Sequence, residues 1–153
     1  MNTKINKHFF ITGHTGFKGC WLTRALVLAG AKVTGYSLKP PTNPNLFDLI
    51  GMKKHIKQYT GDIRDLEKLS KTIIKEKPEI VIHMAAQPLV RESYKDPVTT
   101  YETNVMGTVN ILEACKKAPS VRSIVNVTTD KVYENKEWDR GYKEEDVLNG
   151  HDP

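Results

Sequence analysis

Apolar and polar positions along this chain form two patterns: short, almost continuous apolar runs, and longer segments in which apolar residues recur every three or four positions. The short runs predict β-strands and the longer segments predict amphipathic helices. Strands are predicted at residues 8–12, 31–37, 55–59, 79–85 and 122–128. Helices are predicted at residues 16–29, 46–52, 65–77 and 100–118. Strand and helix therefore alternate along most of the chain.

This alternation is typical of a parallel sheet with right-handed crossovers. The predicted fold class is α/β, a doubly wound parallel sheet of the Rossmann type with strand order 3-2-1-4-5. Residues 79–85 are apolar almost throughout, which predicts a strand buried on both faces. Gly30 is predicted to end the first helix. The core-facing side chains predicted for that helix are Trp21, Leu22, Ala25, Leu26 and Leu28.

A glycine-rich turn (GHTGFKG, residues 13–19) connects the first predicted strand to the first predicted helix. In this context such a turn predicts binding of the paired phosphates of a dinucleotide. Gly13 would allow the tight turn, Gly16 would let a pyrophosphate approach the backbone, and Gly19 would let helix and strand pack closely. The start of the helix adds unpaired N–H groups and the positive end of its dipole.

The end of the second predicted strand bears on the choice between NAD and NADP. An acidic residue there would bind the ribose 2′-hydroxyl. The chain has Ser37 and Lys39 in this region and no acid, so these residues leave the choice open. After the third strand, Asp62 either accepts a hydrogen bond from the adenine amino group or caps the next helix, a role that suits Asp65 better.

Two further strand ends carry candidate chemistry. Small residues after the fourth strand, Ala85 and Ala86, would let a cofactor lie against the backbone, whereas His83 is predicted to be a buried, hydrogen-bonded core residue and not a catalyst. A hydroxyl, a carboxyl and an amine follow one another after the fifth strand, in residues 128–131. They predict either acid–base chemistry or a simple turn.

Composition excludes several classes of protein. The 153 residues fit one domain, and 39% hydrophobic with 27% charged residues indicate a globular chain. The net charge of +5 is spread along the chain, so no nucleic-acid partner is expected. No apolar run approaches the roughly 18 residues of a membrane helix, and no signal peptide is evident, so we expect a cytoplasmic protein without a membrane partner. Cys20 and Cys115 and the scattered histidines predict no metal site.

Taken together, these motifs resemble those of the extended short-chain dehydrogenases/reductases that act on nucleotide sugars, the NAD-dependent epimerase/dehydratase family. The resemblance covers the whole chain and includes Asp62-Ile63-Arg64, the stretch from His83 to Gln87, Asn104 and Thr129-Asp130-Lys131. Within this family the chain is most similar to the 4,6-dehydratases of the CDP-glucose branch. This similarity lies in residues 13–19 (GHTGFKG), 85–91 (AAQPLVR), 101–108 (YETNVMGT) and 130–138 (DKVYENKEW).

The resemblance implies a lyase of deoxysugar biosynthesis with NAD as cofactor and CDP-glucose as substrate. NAD⁺ would take a hydride from C4, water would leave across C5 and C6, and the hydride would return to C6 to give CDP-4-keto-6-deoxyglucose. Thr129 would hydrogen-bond the C4 oxygen and Asp130 would protonate the departing hydroxyl. Lys131 stands where dTDP-glucose enzymes have a glutamate base, and whether it is a base or orients a water is left open. The implied cofactor-binding residues are Gly13, Thr15, Gly16, Phe17, Lys18, Gly19, Ser37, Asp62, Ile63, Ala85, Ala86, Gln87, Asn104 and Thr128.

Residues 132–153 have no periodicity and predict a loop, so residues 1–153 are expected to form an incomplete NAD(P)-binding domain. The resemblance implies that a catalytic Tyr-x-x-x-Lys pair, the last strands and a substrate domain would follow. It also implies that the chain alone is inactive and that the full-length enzyme is a homodimer. An uncovered fifth strand and helix 100–118 predict a marginally stable or aggregating domain. The alternatives are another epimerase or reductase of this family, or a non-catalytic dinucleotide-binding remnant.

Overall fold

A computed structural model of the chain describes residues 4–150. Its centre is a five-stranded parallel sheet in the order β3-β2-β1-β4-β5. The strands are β1 His8–Thr12, β2 Lys32–Ser37, β3 Lys57–Thr60, β4 Ile80–His83 and β5 Ser123–Asn126. The predicted fold class and strand order are therefore confirmed.

Helices cover both faces of this sheet. They are α1 Phe17–Leu28, α2 Leu46–Leu49, α3 Leu66–Glu76, α4 Val90–Lys95, α5 Pro97–Tyr101 and α6 Gly107–Lys116. A π-helical turn, Glu102–Met106, joins α5 to α6, and short 3-10 turns lie at Met52–Lys54 and Asp130–Val132. α1 and α2 pack together on one face, and α3 and α6 pack together on the other.

β1 is the centre of the core, and all five of its residues are buried. Because side chains alternate along a strand, β1 contributes to a cluster on each face of the sheet. The larger cluster, beneath α3 and α6, includes Phe10, Tyr36, Ile63, Leu69, Ile73, Val81 and Ile111. The smaller cluster, beneath α1, consists of Phe9, Ile11, Leu26 and Val33. This packing fixes the position of the turn that follows β1.

The apolar face predicted for α1 is only partly right. Leu26 is buried and Leu22 is half-buried, but Trp21, Ala25 and Leu28 are exposed. The first turn of α1 packs directly on the backbone of the glycine turn, so the side of the helix that carries Gly19 faces inward. The buried residues of α1 are Gly19, Cys20, Thr23 and Leu26.

The long helix predicted at residues 100–118 is largely present, but its bounds and its regularity differ from the prediction. Helical structure already begins at Pro97, where the Asp96 carboxylate accepts a hydrogen bond from the Thr99 N–H over 3.0 Å. The π-helical turn then interrupts the regular helix. α4 was not predicted because none of its residues is buried, so it carries no amphipathic pattern.

The strand predicted at residues 79–85 is present but shorter, and it is less completely buried on one face than predicted. The strand spans only Ile80–His83, with Val81 and His83 buried but Ile80 and Ile82 half-buried. The buried pair faces α3 and α6, and the other pair lies on the side where α1 covers the strand incompletely.

The last described part of the chain is largely irregular, as predicted. Within residues 133–150 the only β-bridge in the described structure pairs Tyr133 with Leu148. β5 and the α5–α6 face leave apolar side chains exposed. The implied homodimer would cover side chains of this kind, and it stays a prediction. Among residues 4–150, no helix has the length and hydropathy needed to cross a membrane. Residues 151–153 lie outside the described range.

Candidate functional site

The glycine turn lies at the carboxyl end of β1, between the ends of β2 and β4. Gly13 has φ of +73°, a left-handed conformation that glycine adopts without strain. Its N–H donates to the Tyr36 carbonyl over 3.0 Å, and its carbonyl accepts from the Gly16 N–H over 3.1 Å. A Cβ on Gly13 would lie 2.8 Å from the Ala85 nitrogen. The turn is therefore packed against backbone on both sides.

Gly16 and Gly19 have different structural surroundings. A Cβ on Gly19 would overlap the carbonyl oxygen of Gly13, so only glycine fits there. A Cβ on Gly16 would meet nothing closer than that same oxygen at 3.4 Å, and the φ of Gly16 is −72°. Gly19 is thus required by packing, whereas the fold itself leaves room for a Cβ at Gly16.

The start of α1 offers hydrogen-bond donors that no side chain satisfies. Gly16 is the N-cap and provides no capping side chain, and the first turn of α1 contains no acidic residue. Phe17 and Lys18, the first helical residues, are both exposed. A twelve-residue helix with such an end attracts an anion through its free N–H groups and its dipole.

A buried polar network ties the end of β1 to the end of β4. The Thr12 hydroxyl lies 2.7 Å from His83 Nδ1 and accepts hydrogen bonds from the Met84 and Ala85 N–H groups over 3.0 and 3.2 Å. His83 Nε2 lies 3.4 Å from the Thr108 hydroxyl of α6. With two N–H donors already on its oxygen, Thr12 donates its own proton to Nδ1, which leaves His83 neutral. The prediction that His83 is a buried, hydrogen-bonded residue is confirmed.

This network makes stability depend on pH. Burial lowers the pKa of His83 to about 4 from 6.5, so protonation favours the unfolded chain. The stabilisation is complete above pH 6.5 and is lost as the pH falls toward 4. We expect it to supply about 2 kcal/mol of the stability lost between pH 7.5 and 5. Urea unfolding of wild type and His83→Gln at both pH values measures this. His8 and His14 also have lowered pKa values and are present in both proteins, so the difference between wild type and variant isolates His83. A pH dependence unchanged in the variant would contradict the prediction.

The end of β2 meets the glycine turn through a pair of hydroxyls. The hydroxyls of Thr15 and Ser37 lie 2.7 Å apart, and Thr15 also donates to the Leu38 carbonyl over 3.1 Å. Two predicted cofactor-binding residues from separate elements are therefore brought together. Beneath them His14 is buried, with Nε2 3.3 Å from the Gln58 side-chain oxygen, and burial lowers the pKa of His14.

After β3, Asp62 is held by its neighbour Arg64. The Arg64 backbone N–H donates to Asp62 Oδ1 over 2.9 Å, and its guanidinium donates to Oδ2 over 2.8 and 3.0 Å. These side-chain hydrogen bonds lower the pKa of Asp62 and keep its carboxylate charged. The Tyr36 hydroxyl donates to the Asp62 carbonyl over 3.1 Å. The helix cap is Asp65, which accepts from the Lys68 N–H, so that part of the prediction is confirmed.

Gln87 and Asn104 also come together in the fold. Asn104, in the π-helical turn, accepts from the Gln87 N–H over 2.8 Å and donates to the Gln87 carbonyl over 3.0 Å. The amide of Asn104 therefore supports the backbone that follows β4. The Gln87 side chain in turn donates to the Thr100 hydroxyl over 3.0 Å. The π-helical turn places Asn104 where both backbone groups of Gln87 can be reached.

The predicted catalytic residues follow β5 at the same edge of the sheet. The Val127 N–H donates to the His83 carbonyl over 3.0 Å, which places Thr128 beside the end of β4. The Thr129 hydroxyl accepts from the Lys131 N–H over 3.1 Å and caps the 3-10 turn Asp130–Val132. Thr128, Thr129 and Lys131 are exposed. Their catalytic roles stay predictions.

Sequence reasoning assigned no role to several residues that shape this site. Arg64 and Asn110 hold residues 62–64, and Thr12 joins two strand ends. One signal was available for Asn110, because it lies on the same helical face as Gly107, Ile111 and Ala114 and is the one strongly polar residue there. The contact partners of these side chains are distant in sequence, so their roles depend on the fold.

The parallel sheet, its strand order and the glycine turn between β1 and α1 define a Rossmann-type domain. A family model described as GDP-mannose 4,6 dehydratase matches residues 10–153, and the chain belongs to this family. The resemblance to the nucleotide-sugar epimerases and dehydratases is thereby confirmed.

Individual relatives and solved structures show which members of the family this chain is similar to. The chain is 52% identical to a CDP-glucose 4,6-dehydratase of Salmonella typhimurium over 147 residues, which cover 96% of this chain and 41% of that relative. Two solved UDP-glucose 4-epimerases have a similar fold. The structure from Stenotrophomonas maltophila, with bound NAD and formylated UDP-arabinopyranose, gives a TM-score of 0.85 at 22% identity, over 96% of this chain and 44% of that one. The Thermus thermophilus complex with NAD gives a TM-score of 0.81 at 26% identity, over 95% of this chain and 45% of that one.

Proposed function

We propose that residues 1–153 form the NAD-binding part of a nucleotide-sugar 4,6-dehydratase whose substrate is CDP-glucose. The observation that carries this proposal is Gly16. The fold leaves room for a Cβ there, and the adjacent helix end presents N–H donors that no side chain caps. A diphosphate approaching the backbone would use both features. The similarity to the Salmonella typhimurium CDP-glucose 4,6-dehydratase supports the substrate.

The predicted residues divide among the parts of the cofactor. We assign the diphosphate to Gly13, Gly16, Phe17, Lys18 and Gly19. Thr15 and Ser37 would hold the adenosine ribose, and Asp62 with Ile63 would hold the adenine. Ala85, Ala86, Gln87 and Thr128 would line the nicotinamide half, with Asn104 supporting Gln87. The NAD named for the two epimerase structures supports NAD over NADP.

In the proposed reaction, different residues of this chain would have different roles. When bound, NAD supplies a reversible hydride acceptor for carbon chemistry at C4 and C6 of the sugar. Thr129 would donate a hydrogen bond to the C4 oxygen, and Asp130 would protonate the hydroxyl that leaves from C6. Lys131 would act on the C5 proton or orient a water. The fold supports this assignment because the three residues follow β5, next to the end of β4 in the sheet.

A titration followed by a product assay tests the proposal. We expect the chain to release or absorb heat on titration with NAD⁺ in a calorimeter and to bind NADP⁺ at least tenfold more weakly. Quenching of Trp21, which is exposed on α1, gives an independent signal. The full-length protein that contains this chain should convert CDP-glucose to a 4-keto-6-deoxy sugar.

Different results would contradict the cofactor assignment and the proposed reaction. Folded chain that gives no heat with either cofactor would contradict the cofactor assignment. Full-length protein that makes only the 4-epimer, or that prefers another nucleotide sugar, would contradict the proposed reaction or substrate while leaving the cofactor site intact.

A further inference from the structure

The segment between β3 and α3, residues 62–64, is held in place by a side chain from α6. Asn110 Nδ2 donates to the Ile63 carbonyl over 3.0 Å and to the Arg64 carbonyl over 3.1 Å. Asn110 is only 9% exposed, so water competes little for these carbonyls. Because the segment belongs to no strand or helix, these two hydrogen bonds take the place of a backbone ladder.

The same end of α6 contacts the segment in two more ways. A Cβ on Gly107 would overlap the Ile63 side chain, so the absence of one lets Ile63 pack against the helix. Glu102, in the π-helical turn that continues into α6, forms an ion pair with Arg64 at 3.1 Å. Arg64 in turn holds the Asp62 carboxylate. The position of Asp62 therefore depends on α6 and the turn before it in three ways: hydrogen bonds to backbone carbonyls, the packing of Ile63, and the ion pairs of Arg64.

We propose that Asn110 is a positioning residue for the adenine end of the dinucleotide. It would hold residues 62–64 so that the Asp62 carboxylate accepts the hydrogen bond of the adenine 6-amino group. This inference rests on the proposed function, since it requires that the chain bind NAD. Asn110 itself would touch no atom of the cofactor and would act through the Ile63 and Arg64 carbonyls.

The test compares NAD⁺ with nicotinamide hypoxanthine dinucleotide, in which an oxygen replaces the 6-amino group. Wild type is expected to bind NAD⁺ about tenfold more tightly, because a carboxylate accepts from an amino group and not from a carbonyl. Asn110→Leu removes the Nδ2 donor of both hydrogen bonds and keeps the branched shape of the side chain. It should weaken NAD⁺ about tenfold and the hypoxanthine analogue less than twofold, so that discrimination between them disappears. A role in stability alone would weaken both equally.

Two further variants serve as controls for the Asn110→Leu result. Glu113→Gln alters an exposed ion pair on the same helix, away from the segment, and should change neither affinity. Glu102→Gln breaks the exposed pair with Arg64 and should reduce discrimination by about twofold. Should Asn110→Leu fail to give a cooperative melt, Asn110→Ser removes the amide with less crowding, and the Glu102→Gln comparison remains available.

Each outcome is decisive. Loss of discrimination in Asn110→Leu supports the proposal. Equal weakening of both dinucleotides, or retained discrimination, overturns it. Wild type that binds both dinucleotides equally also overturns it but leaves the proposed NAD binding intact. Wild type that binds neither contradicts the proposed function itself.

Discussion

Gly16→Val is expected to leave the fold intact and to weaken NAD⁺ binding about 100-fold. A Cβ at Gly16 would meet only the Gly13 carbonyl oxygen, at 3.4 Å, and the extended backbone of Gly16 suits a β-branched residue. The cost in folding should stay near 1 kcal/mol, the usual effect of a poor N-cap. A phosphate kept from the helix N–H groups would lose charge-assisted hydrogen bonds worth about 3 kcal/mol together.

The matched comparison is Gly19→Ala. Here the added Cβ would overlap the Gly13 carbonyl oxygen, which is backbone and cannot rotate away. We expect a loss of about 3 kcal/mol in the free energy of unfolding, with NAD⁺ binding lost as a consequence. Urea unfolding and calorimetric titration of both variants separate the two effects. Wild-type affinity in Gly16→Val would show that no diphosphate lies against this turn.

Thr12→Val is expected to lower the free energy of unfolding by about 3–5 kcal/mol. The two side chains have nearly the same shape, so the change removes one oxygen. That oxygen accepts from the Met84 and Ala85 N–H groups and donates to His83 Nδ1. Thr12 is fully buried, so each of the three abandoned partners loses its hydrogen bond without gaining water, at a cost near the lower end of about 1–3 kcal/mol each. The melting temperature should fall by roughly 10 °C.

Thr23→Val is the control. Thr23 is equally buried, but within the described residues its hydroxyl has no hydrogen-bond partner. Replacing this hydroxyl by a methyl group should leave stability unchanged within about 1 kcal/mol or raise it. Equilibrium urea unfolding of both variants under the same conditions gives the comparison. Equal losses would mean that β-branched packing, and not the hydrogen bonds of Thr12, determines the cost at these sites.

The α1 helix shows where local pattern and tertiary packing diverge. Its three-to-four spacing predicted a core face containing Trp21 and Leu28, yet both are exposed. The helix packs so closely on the glycine turn that only glycine fits at residue 19, while Cys20 packs with Phe47 and Met52. A hydrophobic period shows that a helix forms, but the distance to its neighbour decides which of its faces is covered.

The sequence by itself determined the features that depend on residues close together along the chain. These are the alternation of the five strands with the amphipathic helices, the glycine turn at residues 13–19 and the Asp65 cap, because periodicity, turn chemistry and capping act over a few positions. Only the tertiary structure decided that Thr12 bonds to His83, that Asn104 supports Gln87 and that Asn110 holds residues 62–64. Such side-chain contacts span 17 to 71 positions, and they exist only after the sheet brings distant segments side by side.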